Sequence, residues 1–168
     1  MSISIRSFRI CDYAEVLALW KASPGVCVNE MDTRGNIAAY LRRNRGMSFV
    51  ARDGDGRIVG AVLCGHDGRR GYLHHLAVAK DYRKRGIGGQ LVEACFAQLI
   101  KCGIVKCNIF VFADNLTGQA FWKKSGWNGR SDLLVMQKPT AVLRGADRKN
   151  AVKRAVTRAV ARPKTQAK

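Results

Sequence analysis

The chain has 168 residues, 47% of them hydrophobic, which suits one globular domain with an ordinary core and excludes a disordered chain. With 30 Lys and Arg against 12 Asp and Glu, the net charge is +18, so the molecule attracts anions such as nucleotides, RNA or acidic surfaces. No apolar run approaches the roughly 20 residues that span a bilayer. Six cysteines (11, 27, 64, 95, 102 and 107) show no CxxC spacing, and several sit in apolar segments, where cysteine acts as a small hydrophobe. With no apolar run of the signal-peptide kind at the start, a reduced, cytoplasmic protein without a zinc or other metal site is expected.

Residues 3–9, ISIRSFR, alternate and predict a strand. Residues 11–23 predict a helix with Asp12 as its cap and Val16, Leu19 and Trp20 at helical spacing. A long loop, 23–35, carries Glu30 and Asp32. Residues 36–44 predict a short helix with Ile37, Tyr40 and Leu41 on one face. Residues 47–65 predict a hairpin, two apolar strands around the turn sequence DGDG. After a second turn, HDGRRG, comes a strand over 72–78. A helix follows from Gly86 to about Cys102, with Leu91, Val92, Cys95, Phe96 and Leu99 on its buried face. A strand over 105–112, a helix over 115–126 stopped by a glycine, and a final strand over 133–138 complete the order. This is a mixed α/β (α+β) domain over residues 1–138, with a central, mostly antiparallel sheet. From Pro139 the composition changes to Ala, Val, Lys and Arg.

The stretch YRKRGIGGQLV places three cations and then Gly86, Gly88 and Gly89 directly before an amphipathic run. Glycine is costly at a helix start unless something approaches the backbone closely. A Walker loop needs Gly-Lys-Ser/Thr, which is absent. A dinucleotide fingerprint needs a third glycine where Leu91 stands, and it belongs near the first βαβ unit. What remains is a basic, glycine-rich turn at a helix N-terminus, where free amides and the helix dipole favour an anion. The bland alternative on this stretch alone is a plain turn with solvated cations.

The sequence LAVAKDYRKRGIGGQLVEACF, followed by FVFADNLTGQAFWKKSGW, resembles the GNAT superfamily of N-acetyltransferases. The first signature falls on Arg83, Lys84, Arg85, Gly86, Ile87 and Gly88. The second falls on Asn115, Ala120, Phe121, Trp122, Gly126 and Trp127. The likeness covers residues 3–138 and is tightest over 72–127. It implies the GNAT fold: six to seven strands flanked by about four helices, splayed between the fourth and fifth strands. It also implies acetyl-CoA as cofactor and transfer of its acetyl group to a primary amine of a small molecule or protein, by direct attack in a ternary complex.

The resemblance further implies where the cofactor binds. Its pyrophosphate would lie on the amides of residues 85–89, neutralised by Arg83, Lys84 and Arg85, with Gly86, Ile87, Gly88 and Gly89 at the contact. The backbone of Leu76, Ala77 and Val78 would pair with the pantetheine arm, and an amide near Val78 would polarise the thioester. Asn115 would contact the arm or act as a helix cap. The glutamate that many members use as base is replaced by Tyr72. His74, two residues on, matches a histidine of the arylalkylamine N-acetyltransferases and is the candidate base or water relay, with His75 the less favoured alternative. Regular alternation would put Tyr72, His74 and Leu76 on one face, and Leu73, His75 and Ala77 on the other. The tyrosine that usually serves as acid is replaced by Trp122, whose indole donates a hydrogen bond but supplies no proton. Tyr72 would be a substitute acid if the pocket brings it near the sulphur, water being the alternative, and Trp122 would pack against the cofactor or the core.

The acceptor pocket is expected from the 23–35 loop, the short helix after it and the loop before residue 133. Glu30 and Asp32 would either hold a cationic amine or stand solvated, and Arg42, Arg43 and Arg45 would favour an acidic acceptor. Residues 139–168 hold nine basic residues and one acid. They are read as a disordered or helical tail that could engage RNA, the ribosome or an anionic surface. That makes a nucleic-acid- or ribosome-associated binding module the alternative function. A homodimer stays open.

Overall fold

The structure, a computed structural model, describes residues 2–138. It divides into Met1–Asn128 and Gly129–Lys168, each taken by itself. The expected tail over 139–168 lies outside the described residues.

The first unit is built on a five-stranded sheet in the order β1-β2-β3-β4-β5. These strands are β1 (Ser4–Ser7), β2 (Phe49–Arg52), β3 (Ile58–His66), β4 (Gly71–Val78) and β5 (Cys107–Ile109). The first four pair antiparallel and β5 joins β4 parallel. That parallel step needs a crossover, which α3 (Ile87–Lys101) supplies. The other helices are α1 (Tyr13–Lys21), α2 (Arg34–Arg43) and α4 (Leu116–Lys124). Among the described residues no helix is long and apolar enough to cross a membrane.

β3 is covered on both faces, which is why its sequence is a nearly continuous apolar run. On one face Val59, Val62 and Cys64 meet Ile87, Leu91, Val92, Cys95 and Leu99 of α3. On the other, Ala61 and Leu63 meet Val16, Leu19 and Trp20 of α1 and Ile37 of α2. Each large apolar side chain buried here contributes on the order of 1.5–3 kcal/mol.

Several expectations are corrected. Asp12 does not cap α1: its carboxylate accepts from Arg6, Arg52 and the Arg9 amide. Burial raises its pKa, but those hydrogen bonds outweigh burial and hold it below the usual carboxylate value. Thr33 caps α2, accepting from Asn36 N at 3.3 Å. Phe96 sits at the rim of the core, 36% exposed. The strand expected over 105–112 is formed only at Cys107–Ile109. The strand expected over 133–138 is not formed among the described residues, which are exposed there and without regular secondary structure, and the described sheet has five strands.

The feature that positions the site is a bulge in β4. Ala61 pairs with Ala77 and Leu63 with His74, so two steps on β3 match three on β4. The extra residue is absorbed at His75, whose φ of +52° is left-handed. The bulge overturns the expected alternation. Leu76 packs on the α3 side with Leu73 and Val78, while His74, His75 and Ala77 share the α1–α2 side.

Candidate active site

The anion loop follows a short turn, Lys80–Tyr82. Lys84 (φ +60°) and Gly86 (φ +78°) are both left-handed, and Gly86 stands at the N-cap of α3 with no side chain capping the helix. The first α3 bond runs from Gln90 N to Gly86 O at 3.1 Å. The amides of Ile87, Gly88 and Gly89 therefore precede the ladder, at the positive end of a 15-residue helix. Ile87 offers only its backbone, because its side chain is buried in the core.

The three glycines differ in purpose. Gly86 satisfies the backbone turn. Gly88 lets α4 approach: a Cβ there would lie 3.2 Å from the Phe121 ring. Gly89 alone has nothing within 4 Å of an added Cβ, so it is the open point of the cradle. The cations are partly engaged. Arg83 Nε donates to the Val78 carbonyl at 2.9 Å, and the Arg85 guanidinium sits 5.2 Å from the centre of the Tyr82 ring. These residues fit a diphosphate-bearing cofactor: an uncapped helix start, an open glycine and exposed cations Arg83, Lys84 and Arg85.

Beside this loop the sheet opens. β4 and β5 pair only from Gly71–Cys107 to Leu73–Ile109. Beyond Leu73, residues 74–78, including Leu76, Ala77 and Val78, have no strand neighbour on the β5 side among the described residues. That is the splay the resemblance implied, and it leaves the backbone of 74–78 without a strand partner on that side among the described residues.

On the α1–α2 side of the same stretch lies a cavity of about 510 Å³. Asn29, Met31, Asp32, Asn36, Ile37, Ala39, Tyr40, Arg43, Leu63, His74 and His75 line it. His74 stacks parallel to Tyr72 at 6.2 Å and meets Tyr40 edge-on at 6.3 Å. Burial first, then the neighbouring His75, push the His74 pKa below its ordinary 6.5, so it is neutral at neutral pH. Burial pushes the Tyr40 hydroxyl well above the usual tyrosine range. The Tyr72 hydroxyl donates to Asp67 Oδ2 at 3.3 Å in the β3–β4 turn.

Asp32 is neither a solvated acid nor a bare holder of cations. It is 8% exposed, and Oδ1 lies 2.8 Å from His75 Nε2. Its Oδ2 accepts from Asn29 N at 2.9 Å, and its carbonyl accepts from the Tyr13 hydroxyl at 2.8 Å. Glu30 is exposed, and of the three nearby arginines Arg43 lines the cavity. Asp32 and His75 stand 43 residues apart, and nothing local in the sequence announces their pairing. Tyr40 was legible only as a core position on a helix.

Asn115 acts as a cap: its Oδ1 accepts from Gly118 N at 2.9 Å, and its amide fills the space beside Gly25. Trp122 packs against the core with Phe121 and Trp127, ring centres 5.0 and 4.9 Å away.

Comparison with known proteins agrees with this geometry. The family model described as Acetyltransferase (GNAT) family matches residues 13–127. Acetyltransferase SG1711 of Sodalis glossinidius is 31% identical over 136 residues, covering 81% of this chain and 94% of that protein. An acetyltransferase of Yersinia pestis (strain Pestoides F) is 35% identical over 133 residues, covering 79% and 93%. In fold, the chain is similar to the PaiA N-acetyltransferase of Thermoplasma acidophilum solved with coenzyme A. The TM-score is 0.66 at 20% identity, over 74% of this chain and 89% of that one. The helix start that can take a diphosphate, the parted strands beside it and the sequence kinship lead to one conclusion: the chain belongs to the GNAT family and is an acetyl-CoA-dependent N-acetyltransferase.

Proposed function

We propose that the chain acetylates a primary amine, of a small molecule or a protein, that enters the cavity beside His74 and His75 and attacks acetyl-CoA directly in a ternary complex. One observation carries this reading. The stretch 74–78 of β4 has an unpaired edge toward β5 and, on its α2 side, a cavity of about 510 Å³. Cofactor and acceptor can therefore approach the same backbone from two directions.

In this reading the pyrophosphate rests on the amides of residues 85–89, with Arg83, Lys84 and Arg85 balancing its charge. The backbone of Leu76, Ala77 and Val78 pairs with the pantetheine arm. Bound acetyl-CoA supplies an activated thioester, and a main-chain amide near Val78 stabilises the charge that develops on its carbonyl oxygen. Neutral His74 can relay a proton through water, and Tyr72 holds that ring in place by stacking. The thiolate takes its proton from water. Asn115 and Trp122 serve the cofactor by holding α4 against Gly88.

Isothermal titration with acetyl-CoA tests the cofactor half; no binding at millimolar cofactor removes the reading. An acceptor screen that follows free-thiol release, over amino acids, polyamines, aminoglycosides and N-terminal peptides, tests the other half.

The charge of +18 favours a second role, in which residues 139–168 bring the enzyme to RNA, the ribosome or another anionic surface. An RNA pull-down with and without those residues tests it: no tail-dependent binding at moderate salt ends it. A cytoplasmic location is part of the proposal, supported by six unpaired cysteines, three of them exposed.

A further inference from the structure

We infer that Asp32 and His75 form a carboxylate–imidazole pair that takes the proton of the acceptor amine, an assignment that rests on the proposed acetylation of an amine in this cavity. His75 lines the cavity at the bulge of β4, where its left-handed backbone is a conformation that residues with side chains rarely take. Its Nε2 faces Asp32 Oδ1 at 2.8 Å. With Nε2–H donating to that carboxylate, Nδ1 carries the lone pair, and it has no protein partner among the described residues. Asp32 is itself held by Asn29 N and, through its carbonyl, by Tyr13. Trp20 packs edge-on against the His75 ring at 4.9 Å.

The contrast with His74 decides the roles. Burial holds His74 neutral, and no carboxylate is bonded to it, so it can pass a proton on but is poorly placed to keep one. At His75 a carboxylate balances the incoming charge. The titratable or charged groups around this point are Asp32 and Tyr13, His74, and Tyr40 and Arg43 of α2. In the step, an ammonium N–H bond breaks and an Nδ1–H bond forms on His75. The freed lone pair then attacks the thioester carbonyl: C–N forms, C–S breaks, the nitrogen sheds its second proton to water, and the thiolate takes a proton from water. His75 is the catalytic group and Asp32 positions it.

The test compares wild type with H75Q, H74Q and D32N as full chains, with spermidine and an alanyl peptide as acceptors, following thiol release across pH. H75Q is expected to lower kcat/KM about 100-fold or more and to remove the acidic limb of the profile, while H74Q keeps that limb. D32N is expected to lower it at least about 10-fold, with acetyl-CoA affinity unchanged. Added imidazole is expected to restore part of the turnover of H75A. Without any acceptor, the Nε2–H bonded to Asp32 gives a downfield proton resonance that D32N removes and H74Q keeps. The assignment is overturned if H75Q keeps wild-type turnover, if H74Q alone removes the limb, or if the resonance is absent. Loss of acetyl-CoA affinity in H75Q equal to its loss of turnover would also overturn it. A wild type that binds acetyl-CoA but turns over no amine sinks the proposed acetylation as well, whereas an active wild type with an unaffected H75Q sinks only this assignment.

Discussion

The Tyr82 hydroxyl donates to Asp53 Oδ2 at 2.7 Å and so ties the turn before the anion loop to the β2–β3 hairpin. The Asp53 carboxylate also accepts from the amides of Asp55 and Arg57 and from Arg57 Nε. The Tyr82 ring in turn carries the Arg85 guanidinium. Tyr82 thus couples a structural turn to a cation of the cradle. Tyr82→Phe keeps the ring but frees it, and a rise of about 2- to 5-fold in KM for acetyl-CoA is expected with kcat unchanged. Tyr82→Ala also removes the support of Arg85 and is expected to raise KM about 10-fold. Hydrogen bonds, Tyr82's foremost, hold the Asp53 pKa below its ordinary 3.8. The stability from this tie is therefore full above that value and is lost as pH falls below it.

Gly88 and Gly89 are neighbours with opposite predicted behaviour. Gly88→Ala brings a methyl group to 3.2 Å from the Phe121 ring, which must give way, so Tm is expected to fall below that of Gly89→Ala. Gly89→Ala meets nothing and adds helix propensity, so Tm is expected to hold or rise. Acetyl-CoA affinity is nevertheless expected to fall at least about 10-fold if the pyrophosphate sits as proposed, because the methyl then stands in its path. Unchanged affinity in Gly89→Ala would move the cofactor elsewhere.

His74 makes the fold acid-sensitive. Its pKa is depressed in the folded state, so the unfolded chain binds a proton first as pH drops. Stability from the neutral ring is full above about pH 6.5 and is lost progressively below it. Denaturant titrations of wild type and His74→Gln should diverge below that pH, the variant being less sensitive; parallel curves would show that His74 does not contribute.

Asn115→Ala removes the cap of α4 and is expected to cost about 1 kcal/mol in chemical denaturation. Asn115→Asp keeps the accepting oxygen and should recover most of that loss. If Asn115 acts on the cofactor only through α4, acetyl-CoA affinity tracks stability across the two variants. Affinity lost in Asn115→Asp at wild-type stability would reveal a direct contact.

The sequence alone determined the order of elements through α4 and pointed to a glycine-rich, basic turn at the start of α3. Those follow from short-range physics: the period of apolar side chains, the turn preference of DGDG, and the cost of glycine before α3. It also marked β4 and its histidines as the candidate place for proton transfer. Only the tertiary structure decided which way those histidines point. β3 is buried on both faces, so no alternation in it records the register, and the extra residue of β4 appears only when the two strands are paired. That slip turns His75 onto the side of His74 and brings it to Asp32 on a loop 43 residues away. The same holds for Gly88, whose packing partner Phe121 lies on another helix. It holds too for residues 133–138, whose apolar side chains suggest a strand but which form no strand among the described residues: a pattern alone does not make a ladder.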